Sequence, residues 1–266
     1  MNSKPYSDAY SLLKEQLRSL FELNKELPAS IEKIAESSLE KWAAKVGQLA
    51  PNAQQVVEGL LDWMKKNVTT DSFQIDQFKD LLKNLDPKTV EVMRDFLALS
   101  IRLGDFNSFI RDMGLVYGVI QVENFLKRIL SASFENWPGS VGDKTIRFEQ
   151  LVNCSDIDQA KNLVVEEKVN SIMYEDIENI GRFMELWGVY ASKVDKWKDF
   201  TERFYRRNIL VHNDGMPSQI YRTKTGYTGP NNRLDVSREY LKESVDLFLN
   251  VSKSISDQFI SKIDDK

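Results

Sequence analysis

Residues 105–139, DFNSFIRDMGLVYGVIQVENFLKRILSASFENWPG, decide the fold class of this chain. Their apolar residues recur at intervals of three and four, which is the period of an α-helix and not the alternation of a strand. The face expected to point to the core comprises Phe109, Met113, Val116, Ile120, Leu126, Ile129 and Leu130. Pro138 and Gly139 close the run, which therefore predicts one helix of about seven turns.

The same helical period precedes this stretch. Leu13, Leu17 and Leu20 follow one face of a first helix, and further apolar faces are predicted between Ser30 and Met64. The pair Asp86-Pro87 predicts a helix start, because Asp can accept from first-turn amides and Pro loses nothing at the first helical position. We expect that helix to end at Gly104.

The carboxy-terminal part also has helical signals. Shorter helical pieces are expected over 146–192, and a helix from about Val194 is predicted to stop at Asn213-Asp214-Gly215, because Gly favours the left-handed terminator conformation. Residues 216–233 are typical of an irregular loop with room for a short hairpin, and a last helix is predicted over about 235–262. The predicted fold class is an all-α helical bundle.

The 266 residues allow one large domain or two small ones. We place a boundary at Gly104-Asp105. It divides a helical region, 1–104, with a regulatory or oligomerisation role, from a carboxy-terminal domain, 105–266.

Composition excludes several classes of protein. With 12 Gly and 7 Pro, the chain has too few turn residues for a β-sandwich or barrel. No signal peptide and no membrane-length apolar run occur, so we expect a cytoplasmic protein without a membrane partner. One Cys and one His cannot build a thiolate and imidazole zinc site, and no phosphate-binding glycine loop is present. We expect neither a metal nor another cofactor.

The single histidine lies in the most basic part of the chain. Residues 193–233 hold nine Lys or Arg against four Asp or Glu, whereas 151–192 hold three against eight. Within the basic part, residues 204–215 read FYRRNILVHNDG. Asn208 and His212 are four apart and share a helix face, and Arg207 lies on the adjacent face with a side chain long enough to reach round.

This segment resembles the HEPN superfamily, whose R-x4-6-H motif is its ribonuclease signature. Arg207 is followed by a polar residue and, five positions on, by His212. The continuation His212-Asn213-Asp214-Gly215 and the later Tyr221 are similar to bacterial defence-associated members. The resemblance covers roughly 105–262, with motif matches confined to 204–221. It implies an all-helical domain, metal-free RNA cleavage in a site built across two copies, and a toxin or antiviral defence setting.

The chemistry can also be argued from the residues. Attack of a ribose 2′-hydroxyl on the adjacent phosphorus needs a base, an acid and a cation. Arg207 fits the cation, His212 fits proton transfer, and Asn208 can orient His212 or donate to phosphate. Because two proton transfers are needed and each chain has one His, a homodimer is expected.

Five further residues are candidate RNA contacts. They are Arg206, Tyr205, Asn213, Tyr221 and Arg222. Arg206 would engage the backbone, and the two tyrosines would stack on bases.

Each site residue also has a structural interpretation. His212 can cap the last carbonyls of its helix, Arg207 can pair with an acid such as Asp214, and aromatic residues beside a core stripe usually pack. Glu123 either points toward the motif helix or is a surface acid.

Two other functions are compatible with the same sequence features. One is a non-catalytic HEPN-like module that binds RNA or a protein partner, and the other is a helical scaffold without a nucleic-acid role. The expected partners are RNA, a second copy of the chain, and an antitoxin or other defence protein.

Overall fold

A computed structural model of the chain describes residues 1–22, 87–142 and 147–264, with Ser37 by itself, and for 87–106 it describes the backbone alone. These residues form eight α-helices joined by turns and short 3₁₀ segments, and no strand occurs among them. The predicted all-α class is confirmed. Across the described ranges, no helix combines the length and the apolar character that a bilayer-spanning segment requires.

The helices are numbered in chain order. They are α1 over 4–22, α2 Pro87–Asn136, α3 Phe148–Val152, α4 Ile157–Met173, α5 Ile177–Met184, α6 Trp197–His212, α7 Gln219–Thr225 and α8 Arg238–Asp264. The predicted first helix, the helix predicted from about Val194 and the last helix are present as α1, α6 and α8. The short pieces predicted over 146–192 are present as α3, α4 and α5. The helices predicted between Ser30 and Met64 lie outside the described residues.

The chain divides into two compact units. One comprises Met1–Phe21 and Asp112–Lys266, and the other comprises Glu22–Arg111. This division differs from the predicted boundary at Gly104-Asp105, because Met1–Phe21 group with Asp112–Lys266 and not with the rest of 1–104. The unit that contains Asp112–Lys266 is called the carboxy-terminal unit.

Helix α2 runs for 50 residues without a break at Gly104. The predicted helix end at this glycine is therefore wrong. A glycine within a helix costs about 1 kcal/mol relative to alanine, which the hydrogen bonds and packing of a long helix can offset. The residue that follows is Asp105, which continues the helix, whereas a proline would have stopped it.

The first half of the predicted core stripe on α2 is also wrong. Met113 is 46% exposed and Ile120 is 42% exposed. The buried positions of this helix include Leu115, Val119, Val122, Leu126, Ile129 and Leu130. Apolar residues occur on more than one side of α2, so the helical period fits two faces and only tertiary packing selects one.

The loop predicted over 216–233 contains helix α7 and no hairpin. Ser218 caps this helix, because its hydroxyl accepts from the backbone N–H of Tyr221 at 3.2 Å. Gly226 ends it in the left-handed conformation, with φ of 76°.

The core of the carboxy-terminal unit lies between α1, α2, α6 and α8. Leu13 and Leu17 of α1 are buried, and Tyr6 of the same helix stacks on Phe259 of α8 with 5.0 Å between ring centroids. Phe248 of α8 is fully buried and meets Phe200 of α6 edge-on at 5.9 Å. Phe248 therefore links the helix that carries the candidate site to the rest of the core.

We predict that Phe248→Ala lowers the free energy of unfolding by about 3–5 kcal/mol, because it removes a buried ring and leaves a cavity. The matched control is Phe148→Ala, since that ring is 78% exposed and its loss should change stability by no more than about 0.5 kcal/mol. Urea denaturation followed by circular dichroism measures both. Equal losses in the two variants would contradict this description of the core.

Candidate active site

The sequence predicted where the motif helix ends, and the prediction is confirmed. The backbone N–H groups of Asn213 and Gly215 both donate to the carbonyl of Ile209 at 2.9 Å, which closes the last turn of α6. Asp214 and Gly215 have φ of 48° and 73°, the left-handed conformation that a glycine adopts without strain. His212 is thus the last residue of α6.

The chain after α6 is tied to its surroundings. The guanidinium of Arg233 binds the carboxylate of Asp112 on α2 and lies 3.7 Å from a carboxylate oxygen of Asp214. The backbone N–H of Leu234 donates to the carbonyl of Gly215 at 3.0 Å. The turn that follows His212 is therefore held against α2, which fixes the backbone of the site.

Arg207 forms an ion pair with Glu123 of α2, in which Nη2 donates to Oε1. The side chains are 21% and 32% exposed, so the pair lies at the edge of the protein and is open on one side. The sequence left two interpretations of Glu123, and the structure selects the one in which it faces the motif helix. The Asp214 carboxylate, suggested as the partner of Arg207, approaches Arg233 instead.

The Arg207 guanidinium is not fully satisfied. Its Nε is buried and finds no acceptor among the described residues. A buried donor without an acceptor costs about 1–3 kcal/mol. The Arg207–Glu123 contact thus leaves one donor of the guanidinium without an acceptor among the described residues.

Burial raises the pKa of the Glu123 carboxyl, and the charge and hydrogen bond of Arg207 offset this only in part. Glu123 therefore holds a proton more readily than an exposed glutamate does.

Asn208 and His212 are exposed on the surface of α6. His212 follows Arg207 by five residues, which places it about 7.5 Å further along the helix and roughly 140° around its axis. Their Cα atoms are then about 9 Å apart. The two side chains therefore leave α6 in different directions, Arg207 toward Glu123 of α2 and His212 toward solvent.

Arg206 belongs to a separate cluster around Glu202. This carboxylate accepts from Arg206 Nε at 3.2 Å, from Arg203 Nη1 at 2.7 Å, and from the hydroxyls of Tyr221 and Tyr240 at 2.6 Å each. Burial raises the pKa of Glu202, but the arginines and hydroxyls outweigh it and hold the pKa below the ordinary range. Four donors on one partly buried carboxylate bind α6, α7 and α8 together.

Tyr205 and Tyr221 are 7% and 3% exposed, so neither ring has a free face for a base. Tyr205 donates its hydroxyl to Glu178, and Lys224 binds Asp176 at 2.9 Å and Glu178 at 2.8 Å. Both tyrosines pack, as their structural interpretation proposed, and we do not retain them as RNA contacts.

Arg222 and Asn213 also make internal contacts. Arg222 Nη1 donates to the carbonyl of Gly229 at 2.8 Å, and Asn213 Nδ2 donates to the carbonyl of Met216 at 2.6 Å. Each side chain holds a turn, and a contact with RNA would have to share these donors.

Much of the positive charge of 193–233 is neutralised locally. Among the described residues, carboxylates pair with Arg203, Arg206, Arg207, Lys224 and Arg233. The acidic segment 151–192 supplies Asp176 and Glu178 to this pairing. The basic excess seen in the sequence is therefore smaller at the surface.

The cluster around Glu202 was not among the features predicted from the sequence. The spacing of Glu202 and Arg206, four residues apart, could have indicated one of its contacts. Tyr240 lies 38 residues from Glu202, on α8, and no local sequence pattern predicts their contact.

Comparisons with known proteins found no match: no family model, curated protein or solved structure matches this chain. The resemblance to the HEPN superfamily thus rests on the motif residues of 204–221 alone.

We predict that Tyr221→Phe destabilises the protein by about 1.5–3 kcal/mol, because it removes a hydrogen bond to a partly buried carboxylate. Tyr174→Phe is the matched control, since Tyr174 is 92% exposed. Chemical denaturation at neutral pH compares the two. A loss in Tyr221→Phe no larger than in the control would show that the Glu202 cluster does not stabilise the fold.

Proposed function

We propose that the protein is a metal-independent endoribonuclease of the HEPN type. The observation that carries the proposal is the end of α6, where exposed Asn208 and His212 follow an incompletely satisfied Arg207. These are the three residues that the motif assigns to chemistry, and they border an open surface of the protein.

The proposed reaction needs no cofactor. Arg207 binds the phosphate and stabilises the charge that develops on its oxygens, because a guanidinium stays charged and presents paired donors. His212 transfers a proton, and Asn208, one turn before it, orients the imidazole or donates to phosphate. The products are a 2′,3′-cyclic phosphate and a 5′-hydroxyl.

A homodimer is part of the proposal. Val211, next to His212, and Ile120, one turn before Glu123, are 51% and 42% exposed. Burying these apolar side chains would favour association of two copies around the site. By resemblance, the setting is microbial defence or toxicity, with an antitoxin or other defence protein as a further partner.

A second candidate is a non-catalytic module that binds RNA or protein. It is favoured by one observation, the ion pair of Arg207 with Glu123, which engages an edge of the guanidinium that phosphate would use. In this alternative, Arg207 and His212 serve an interface and cut nothing.

We predict that the purified protein cleaves a structured RNA in the presence of EDTA and leaves a cyclic phosphate. His212→Ala should lower the rate by about 100-fold or more, because a general acid or base contributes a factor of this size. Gel analysis of end-labelled RNA, with mass spectrometry of the termini, measures both.

The control substrate is the same sequence in DNA, which lacks the 2′-hydroxyl and should stay intact. RNA binding without cleavage would support the second candidate. Negligible RNA affinity even at low salt, where phosphate contacts are strongest, would leave only a helical scaffold.

A further inference from the structure

We propose that Glu123 is the second proton-transfer group of the site: its carboxylate takes the proton of the ribose 2′-hydroxyl, while His212 protonates the leaving 5′ oxygen. This assignment rests on the proposed ribonuclease function and deepens it. It gives each chain both a base and an acid, so the homodimer of the proposed function rests on the exposed apolar side chains of Val211 and Ile120 and not on the need for a second histidine.

The first support is position. Glu123 contacts Arg207 directly, so a phosphate bound by that guanidinium must lie beside the Glu123 carboxylate. The contact is a hydrogen-bonded ion pair between α6 and α2. A group that meets the phosphate-binding arginine from a different helix is well placed to act on the nucleotide as well.

The second support is direction. In an in-line displacement the attacking and leaving oxygens occupy opposite sides of the phosphorus, so the base and the acid must approach from opposite sides. Glu123 meets Arg207 on the side of α6 that faces α2. His212 lies roughly 140° around the helix from Arg207. The carboxylate therefore comes from α2 and the imidazole from the end of α6, so the two groups would approach a phosphate held by Arg207 from different helices.

The third support is the proton affinity of the carboxyl. Burial raises the pKa of Glu123 despite the opposing charge of Arg207, which makes it a stronger base than an exposed glutamate. Across the helix pair the charged group that acts on it is Arg207, and Lys127 lies one turn further along α2. His212, at the end of α6, is exposed.

The step balances without a further reactant. The 2′-hydroxyl proton passes to the Glu123 carboxylate as the 2′ oxygen pair forms a bond to phosphorus. The bond from phosphorus to the 5′ oxygen breaks with its electron pair on that oxygen, which takes the proton of the His212 imidazolium. Glu123 ends protonated and His212 neutral, and exchange with water restores both.

The experiment compares wild type, Glu123→Gln and His212→Ala on two oligonucleotides that carry the linkage cut by the wild-type protein. One has the natural 5′ oxygen, and the other has sulfur in its place, a leaving group that departs without an acid. His212→Ala should recover to near the wild-type rate on the sulfur substrate. Glu123→Gln should stay about 100-fold slower on both substrates, because its missing group is the base.

The pH profile gives an independent readout that a merely structural role would not change. Wild type should show a bell-shaped rate, whose acidic limb is the loss of activity as Glu123 gains its proton. Glu123→Gln should lack this limb. Glu123→Asp, which keeps a carboxylate on a shorter side chain, should retain it at a lower rate.

Glu135→Gln is the matched control, since it makes the same change at an exposed position of the same helix and should leave the rate unchanged. Thermal melting checks that each variant is folded; Gln keeps an acceptor for Arg207. Wild-type rates in Glu123→Gln, or its rescue by the sulfur substrate, would overturn the assignment while leaving the nuclease intact. Absence of cleavage by wild type would overturn the proposed function and this assignment with it.

Discussion

Two glycines one turn apart on α2, Gly114 and Gly118, set how closely α2 and α8 pack in the carboxy-terminal unit. A Cβ at Gly114 would lie 2.9 Å from a methyl carbon of Leu241, and one at Gly118 would lie 3.1 Å from the ring of Phe248. The side chains of Leu241 and Phe248 on α8 can therefore pack against the backbone of α2. Because Phe248 in turn contacts Phe200 of α6, this close approach also determines where the motif helix lies relative to α2.

Once α6 is placed by its apolar face, its charged residues must find partners from other helices. Glu202 accepts hydrogen bonds from Tyr221 of α7 and Tyr240 of α8, and Arg207 pairs with Glu123 of α2. Partly buried charges are costly unless they are paired, so these contacts fix the rotation of α6 about its own axis. Because these contacts occupy the sides of α6 that face other helices, the side that carries His212 faces solvent. The exposure of the candidate site thus follows from the pairing of its neighbours.

Local features of the sequence predicted local features of the structure. The terminator at Gly215 was predictable because the required conformation belongs to that residue type. Gly104 gave a wrong helix end, and Ile120 a wrong core position, because continuity and burial in α2 depend on packing that the period alone does not contain. The pairing of Arg207 with Glu123 joins residues 84 positions apart, so the sequence could suggest the acid but not establish its contact.

In the proposed reaction, the Glu123–Arg207 pair would oppose RNA binding and yet favour cleavage. The carboxylate would compete with phosphate for the guanidinium in the free protein, where the two side chains are paired. On taking the 2′-hydroxyl proton the carboxylate would lose its charge, and its attraction for Arg207 would fall. Negative charge would gather on the phosphorus oxygens in the same step, so the guanidinium would turn to the phosphate. An interaction that becomes stronger only as a reaction proceeds lowers the barrier, whereas one equally strong before and after does not. The ion pair of Arg207 is therefore compatible with the proposed catalysis, although it would make the free arginine a poor phosphate site.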